Sequence, residues 1–438
     1  MQRSELERLS RDELIELVLR LQRPGKTSRT SSKPPSTDRK ERREQAKPGG
    51  AKPGRAKPGG AKPGHEGRSR MLGTDPDRIV DHAPQQCPCC SLALSPGLPS
   101  EEVSVHERIE LPEIKPFVEH HRRLAVQCPG CGTRVAAAPP PAAAGTPLGP
   151  RVHALATYLK TFQSLSYERL QATLADLFGL PVSQGGLTNL LRRAQGRFQA
   201  GREQAVAVLR CAPVVASDEA GVRIEGSNAF RWVFRCAAAV VHHAAPTRAA
   251  SVVRAMMDGH KPRVWVSDRY SAQQGHGLAQ QTCLAHLARD VACALEASDD
   301  PVPFRLKLWL ASAFALADGV AHLAASTVAA KRRALERSLA AILAAPTACD
   351  LASAPQAKLR RARDQLLTFA DWGGAVEATN NACERALRPA AIRRKVTNGY
   401  RAVWAAEGEA DIRTVANTAQ LKPGTSVFST ILQTVAAA

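Results

Sequence analysis

CAPVVASDEAGVRI, residues 211–224, runs a short apolar segment into a carboxylate, Asp218. KPRVWVSDRYSAQ, residues 261–273, does the same at Asp268, and RWVFRCAAAVVHHAA, residues 231–245, supplies a further apolar segment between them. Runs of four to eight apolar residues enriched in β-branched side chains suit buried strands, and an acid at a strand end projects where a cleft can form. The expectation is a sheet carrying two acids on adjacent strand ends. Glu219 follows Asp218 directly and should face the opposite side if the strand continues through it. His242 and His243 close the middle segment and carry no assigned role.

A third acid stands in a basic setting. TNNACERALRPAAIRRKV, residues 379–396, places Glu384 among Arg385, Arg388, Arg393, Arg394 and Lys395. A carboxylate in a patch built only to attract a polyanion would weaken that attraction. Glu384 is therefore either a surface partner for Arg388 one helical turn on, or the holder of something positive. Asp218, Asp268 and Glu384 brought together would repel one another unless divalent cations neutralised them. Oxygen ligands suit Mg2+ or Mn2+, and two such ions can serve an in-line displacement at phosphorus. Arg388, Arg393, Arg394 and Lys395 would then clamp phosphates.

The 438 residues exceed one ordinary domain. A formal charge of +20 and a pI near 9.9 point to a polyanionic partner, nucleic acid before an acidic membrane surface. Fifteen Lys or Arg against four acids in residues 22–70 concentrate that charge in an arm. There AKPGGAKPGRAKPGGAKPGH repeats with Lys47, Lys52, Lys57 and Lys62, each before Pro-Gly. Such density of Pro and Gly prevents helix and sheet, so residues 23–80 read as an extended basic arm that tracks phosphates or as a solvated linker. Residues 1–22 hold two possible capping boxes, Ser4 with Glu7 and Ser10 with Glu13, ahead of Leu14, Leu17, Val18 and Leu21 at helical spacing. That helix would form a short coiled coil or pack on its own chain. No apolar run is long enough to span a bilayer, and the charged amino terminus lacks the core of a secretory signal, so the expected location is the cytoplasm, with no membrane partner.

Among eleven cysteines, Cys87 and Cys90 in CPCC and Cys128 and Cys131 in CPGC form two C-x2-C knuckles. Four thiolates make a closed structural Zn2+ site. The 37 residues between the knuckles alternate in VSVHERIEL (103–111) and HHRRLAVQ (120–127), as two strands of a zinc ribbon would, which sets that domain at 81–135. After the joint AAAPPPAAAGTP (136–147), YERLQATLADLFGLPVSQGGLTNLLRRAQ (167–195) reads as helix, turn and second helix. This is either a helix-turn-helix presenting Thr188, Asn189, Arg192 and Arg193 to DNA or an ordinary helical pair, within a helical region at 148–209.

Taken together, SSKPPSTD (31–38), the KPGG and PGH segment, CPCC and CPGC, SDE (217–219), VSDRYSA (266–272), CLAHLARD (283–290) and TNNACERALRPAAIRRKV resemble the transposases of the IS66 type over nearly the whole chain. The resemblance implies a multidomain α/β protein: an RNase H-like DDE catalytic domain at 210–400 with a helical insertion near 296–372, preceded by the zinc ribbon and the helix-turn-helix-like region, and followed by a tail at 401–438. It implies Asp218, Asp268 and Glu384 as catalytic acids binding two Mg2+ or Mn2+, beside one structural Zn2+. It implies that the chain cuts transposon ends and joins them to target DNA, as a dimer or larger assembly and with accessory transposition proteins. The location becomes the bacterial cytoplasm, on the nucleoid when DNA is bound. Cys283 and His286, three apart in CLAHLARD, match a C-x2-H feature that would support the site, whereas on their own a Cys and a His there are more often core. Ala220 stands where the family usually has Thr. The competing classes are a zinc-containing DNA-binding regulator without chemistry and a metal-dependent nuclease that cuts without joining.

Overall fold

The computed structural model describes residues 10–11, 71–140, 146–347 and 349–437. The arm lysines Lys47, Lys52, Lys57 and Lys62 and nearly all of the amino-terminal helix expected at 1–22 lie outside them. The chain divides into two units, residues 46–115 and the remainder.

In the smaller unit, residues 103–111 form no strand, although the sequence alternates there. Val103, Val105 and Ile109 are all exposed, so no apolar face is buried that would fix a register. In the larger unit, a hairpin at the second knuckle pairs β1 (Ala125–Gln127) with β2 (Arg134–Ala136). Only part of the segment 120–127 is thus a strand, and its partner lies beyond the cysteines.

The larger unit is built on a five-stranded sheet. It comprises β3 (Val214–Ile224), β4 (Ser227–Arg235), β5 (Val240–Ala245), β6 (Val264–Ser267) and β7 (Ala279–Thr282), in the order β5-β4-β3-β6-β7. β4 runs antiparallel to both β3 and β5, whereas β6 and β7 run parallel to β3. Glu225 and Gly226, with φ of 52° and 78°, close the β3–β4 hairpin in the left-handed geometry that suits strand twist.

Alternation along the strands feeds two separate cores. Val215, Trp232, Phe234, Val241 and Trp265 pack on one face with the end of a long helix and with α4 (Ala250–Met257). Val264 and Val266, with Val214 and Ala216, pack on the other face against α5 (Leu284–Ala297), α6 (Pro301–Gly319) and α7 (Ala325–Ala344). With α8 (Asp350–Arg361) and two 3-10 turns, α6 and α7 occupy most of the stretch read as a helical insertion. The sheet is therefore covered on both faces.

Before it stand α1 (Pro150–Thr161), α2 (Tyr167–Phe178) and α3 (Gln184–Leu209), the long helix just mentioned. Ser166 and Ser183 cap α2 and α3, accepting from the Arg169 and Gly186 amides, and Gly179 ends α2 with φ 58°. These signals stop one helix and start the next. After the sheet come α9 (Asn381–Thr397), α10 (Val403–Ala419) and α11 (Val427–Ala436).

The segment 401–438, read from sequence as a tail, is thus mostly helix. Ala406, Ala410, Ile412 and Ala416 are buried, and Ile412, Ile431 and Val435 share a core with Ala154 and Phe198 of α1 and α3. Helical spacing of small apolar residues lets α10 approach its neighbours closely. Gly399, with φ 109°, lets the chain turn back on β3: a Cβ there would collide with the Arg223 carbonyl, and the Tyr400 amide donates to that same oxygen at 2.8 Å.

Candidate active site

Register places the two aspartates. β3 pairs with β6 only from Val214↔Val264 to Ala216↔Val266, and Asp218 and Asp268 each lie two residues past that last pair. β3 itself runs on, hydrogen-bonded to β4 with Asp218 opposite Val233. The sequence expectation of a strand ending at Asp218 is therefore corrected: what ends, two residues before it, is the pairing with β6, and the hairpin to β4 carries β3 six residues beyond Asp218.

Asp218 shares its face with Ala216 and Ala220, which pack on Cys383 and Leu387 of α9. The helix on that face carries Glu384. Glu219 lies on the opposite face, as alternation requires, where its carboxylate accepts from Gln273 Nε2 at 2.7 Å and Arg248 Nη2 at 3.1 Å.

Asn380, which sequence reasoning missed, pins the start of α9. Its side-chain amide donates to the Ser217 carbonyl at 2.8 Å, and its backbone N–H donates to Cys283 Sγ at 3.2 Å. The Leu284 amide donates to the Ala378 carbonyl at 3.0 Å. The first residues of α9 are thus tied to β3 beside Asp218 and to α5. Asn380 is 1% exposed and its Oδ1 has no hydrogen-bond partner.

Glu384 is half-buried. Its ion-pair partners are Arg289 at 3.3 Å and His286 at 3.6 Å, both on α5, one turn apart. The partner that sequence offered, Arg388 on its own helix, faces solvent instead. Cys283, His286 and Glu384 place ligand-capable atoms within 4.8 Å of one another. Cys283 is fully buried and its thiol is pushed up by burial. His286 thus stands beside the Glu384 carboxylate, and Cys283 beside the backbone that starts its helix.

Electrostatics mark the neighbourhood as one. Burial raises the Asp218 carboxyl well above its ordinary value, and Glu219, Asp268 and Glu384 raise it further. Asp268 accepts the Tyr270 N–H at 2.8 Å. Glu384 Oε1 is buried without a hydrogen bond. Converging acids and a buried carboxylate oxygen that accepts no hydrogen bond fit a divalent cation with hard oxygen ligands. A buried acid with a raised folded pKa favours the fold at low pH, and that contribution is lost as pH rises through the folded value. Asp218→Asn is accordingly expected to melt above the parent at pH 7.5 without added divalent cations, with the gap closing on acidification, as differential scanning fluorimetry across pH would show.

The two cysteine knuckles have one local geometry. The Cys87 amide donates to the Leu92 carbonyl and the Ser91 amide to Cys87; the Cys128 amide donates to Thr133 and the Gly132 amide to Cys128. Backbone hydrogen bonds from Cys90 and Cys89 lower the Cys87 thiol, and a side-chain hydrogen bond with Thr133 lowers that of Cys131. Lowered thiols favour the thiolate, the metal-binding form.

Of the basic residues, Arg192 and Arg193 on α3 and Arg388, Arg394 and Lys395 on α9 are exposed. Arg393 is not. It is buried, pairs with Glu409, and donates to the Lys160 carbonyl at 3.1 Å. The run IRRKV alone does not show which arginine the helix turns inward, so the grouping of Arg393 with surface clamps is corrected.

The chain as a whole pairs a small cysteine-bearing domain with an α/β domain holding clustered acids. Residues 84–132 match the zinc-finger binding domain of transposase IS66, and residues 145–408 match the transposase IS66 family. No curated protein matches. These two domains define a transposase, a DNA-acting enzyme with a zinc finger that binds Zn2+. The chain belongs to the IS66 transposase family. Among the described residues no helix is long and apolar enough to cross a membrane.

Proposed function

We propose that the chain is a Mg2+- or Mn2+-dependent DDE transposase that cuts transposon ends and joins them to target DNA. The observation that carries this is the convergence of Asp218, Asp268 and Glu384 around one raised carboxyl. The strand order, three antiparallel strands followed by two parallel ones, supports an RNase H-like catalytic domain.

Asp218, Asp268 and Glu384 would hold two divalent ions, which when bound activate the attacking hydroxyl and stabilise the leaving oxygen in an in-line displacement. The protein's own part is placement. Asp218 and Asp268 are fixed by strand register, and Glu384 by Asn380 at the start of its helix and by His286 and Arg289 at its side. Arg388, Arg394 and Lys395 on the same helix, and Arg192 and Arg193 on α3, would neutralise backbone phosphates, as would Lys47, Lys52, Lys57 and Lys62 of the arm. Because two ends must be joined, the working form is a dimer or larger assembly, with accessory proteins where the element encodes them.

The test is strand cutting and joining of a labelled transposon-end duplex with Mg2+ and a target plasmid. Joined product supports a transposase; cutting without joining would make it a nuclease, and DNA binding without either a regulator. Cys87, Cys90, Cys128 and Cys131 are proposed as the Zn2+ ligands. Metal analysis is expected to return one zinc per chain, and Cys128→Ser to lose it together with protease resistance of residues 81–135, because such sites contribute folding energy directly.

A further inference from the structure

Nine residues beyond Glu384, α9 delivers Arg393 to a pocket of about 520 Å3, lined among others by Lys160 of α1, Tyr167 of α2, Thr188 of α3, and Tyr400 and Trp404 next to and on α10. At 1.5 Å and 100° per residue the two side chains leave the helix roughly 14 Å apart along its axis and on opposite faces, so a strand reaching both would pass around the helix. The volume lies in the range of small-molecule sites.

The wall is short of negative charge. Arg231, Arg393 and Arg413 all act on a single buried carboxylate, Glu409. The Lys160 ammonium, pushed down to about 8 by burial and by Arg393, stands beside them. The Arg393 side chain is only 7% exposed, yet its Nε has no hydrogen-bond partner. Leaving such a donor unpaired is costly, and an acceptor brought by a ligand would satisfy it.

The same wall is aromatic. Lys160 lies 4.2 Å from the Tyr167 ring centre and Arg393 5.0 Å from that of Tyr400. Trp404 is half-buried, and the exposed Arg192 of α3 stands 5.7 Å from its ring. An exposed arginine thus lies against one aromatic of a cavity that has cations and π-faces inside. Flat aromatic faces accept any base, and cations track its phosphate.

We propose that this pocket receives one nucleotide of the bound DNA strand, drawn out of the stack, with its phosphate on Arg393 and its base against Trp404. The inference rests on the proposed strand chemistry and adds a second anchor to it, holding unpaired DNA a fixed distance from the acids.

The test uses the full chain without added divalent cation. Two probes are compared by fluorescence anisotropy: a blunt duplex, and the same duplex with a five-nucleotide single-stranded tail carrying 5-iododeoxyuridine. The parent is expected to bind the tailed probe about tenfold tighter and, on irradiation, to cross-link through Trp404 or Tyr167. Trp404→Ala and, separately, Ala402→Trp, which adds bulk to the pocket wall and keeps its aromatics, are expected to lose that advantage while binding the blunt duplex unchanged. The proposal is overturned if the tail preference survives both variants, if cross-links map elsewhere, or if micromolar free deoxynucleotide displaces the tail. Strand cutting with Mg2+ is measured in parallel. Carboxylate-dependent cutting with no tail preference would sink the pocket alone; a tail preference lost in both variants, with no cutting by the parent, would keep the pocket and sink the transposase reading.

Discussion

Glu384→Gln is expected to reduce strand cutting about a thousandfold or more while leaving DNA binding within about twofold of the parent. A bound divalent ion supplies several kcal/mol of charge stabilisation at a reacting phosphate, and about 4 kcal/mol corresponds to three orders of magnitude in rate. Gln keeps the shape and can still accept from Arg289, which lies 3.3 Å from the native carboxylate, so the helix should stay in place. What it loses is charge. Retained binding with lost cutting makes Glu384 a metal ligand; equal cutting by parent and variant would return it to an ion pair with α5. Asp268→Ala serves as a control on the wider reading, because undiminished cutting there would remove the shared role of the three acids.

The second large effect concerns stability. Glu409 is fully buried on α10, accepts from Arg413 Nε at 2.8 Å, and pairs with Arg393; those two arginines with Arg231 hold its carboxyl down to about 2 against the penalty of burial. Glu409→Gln strands these cations in the interior. Breaking a buried pair from one side typically costs about 3–5 kcal/mol, which corresponds to a fall in Tm on the order of 10 °C. A melting curve checks it, and a shift of a degree or less would refute the account. Because the folded pKa is depressed, the stability Glu409 contributes is present above the ordinary carboxylate range and is lost as pH falls from about 4 toward about 2. The parent should therefore unfold more steeply in acid than the variant.

How far the sequence reaches is clearest at the acids. Asp218 and Asp268 were legible because each follows a run of β-branched residues, a local pattern that needs no partner to recognise. The two helices and the turn between them were legible for the same reason: Ser166, Gly179 and Ser183 are start and stop signals within a few residues of the helices they govern. The knuckles carry their chemistry in their spacing.

What stayed hidden is what depends on contacts far along the chain. The expected strand at 103–111 did not form, because alternation alone supplies no buried face. The segment 401–438 read as a tail, yet α10 places Glu409 and Arg413 among residues drawn from α1, β4 and α9. No local pattern marks Asn380, whose side chain bonds Ser217 across 163 positions. The turn of α9 that buries Arg393 and exposes Arg394 is set by which neighbours the helix meets. Composition and spacing by themselves determined a basic chain with two cysteine knuckles and acids after apolar runs, and the resemblance of its motifs to the IS66 family pointed to a transposase. Only tertiary structure decided which charges share a site, because electrostatic interaction falls off with distance in space and takes no account of distance along the chain.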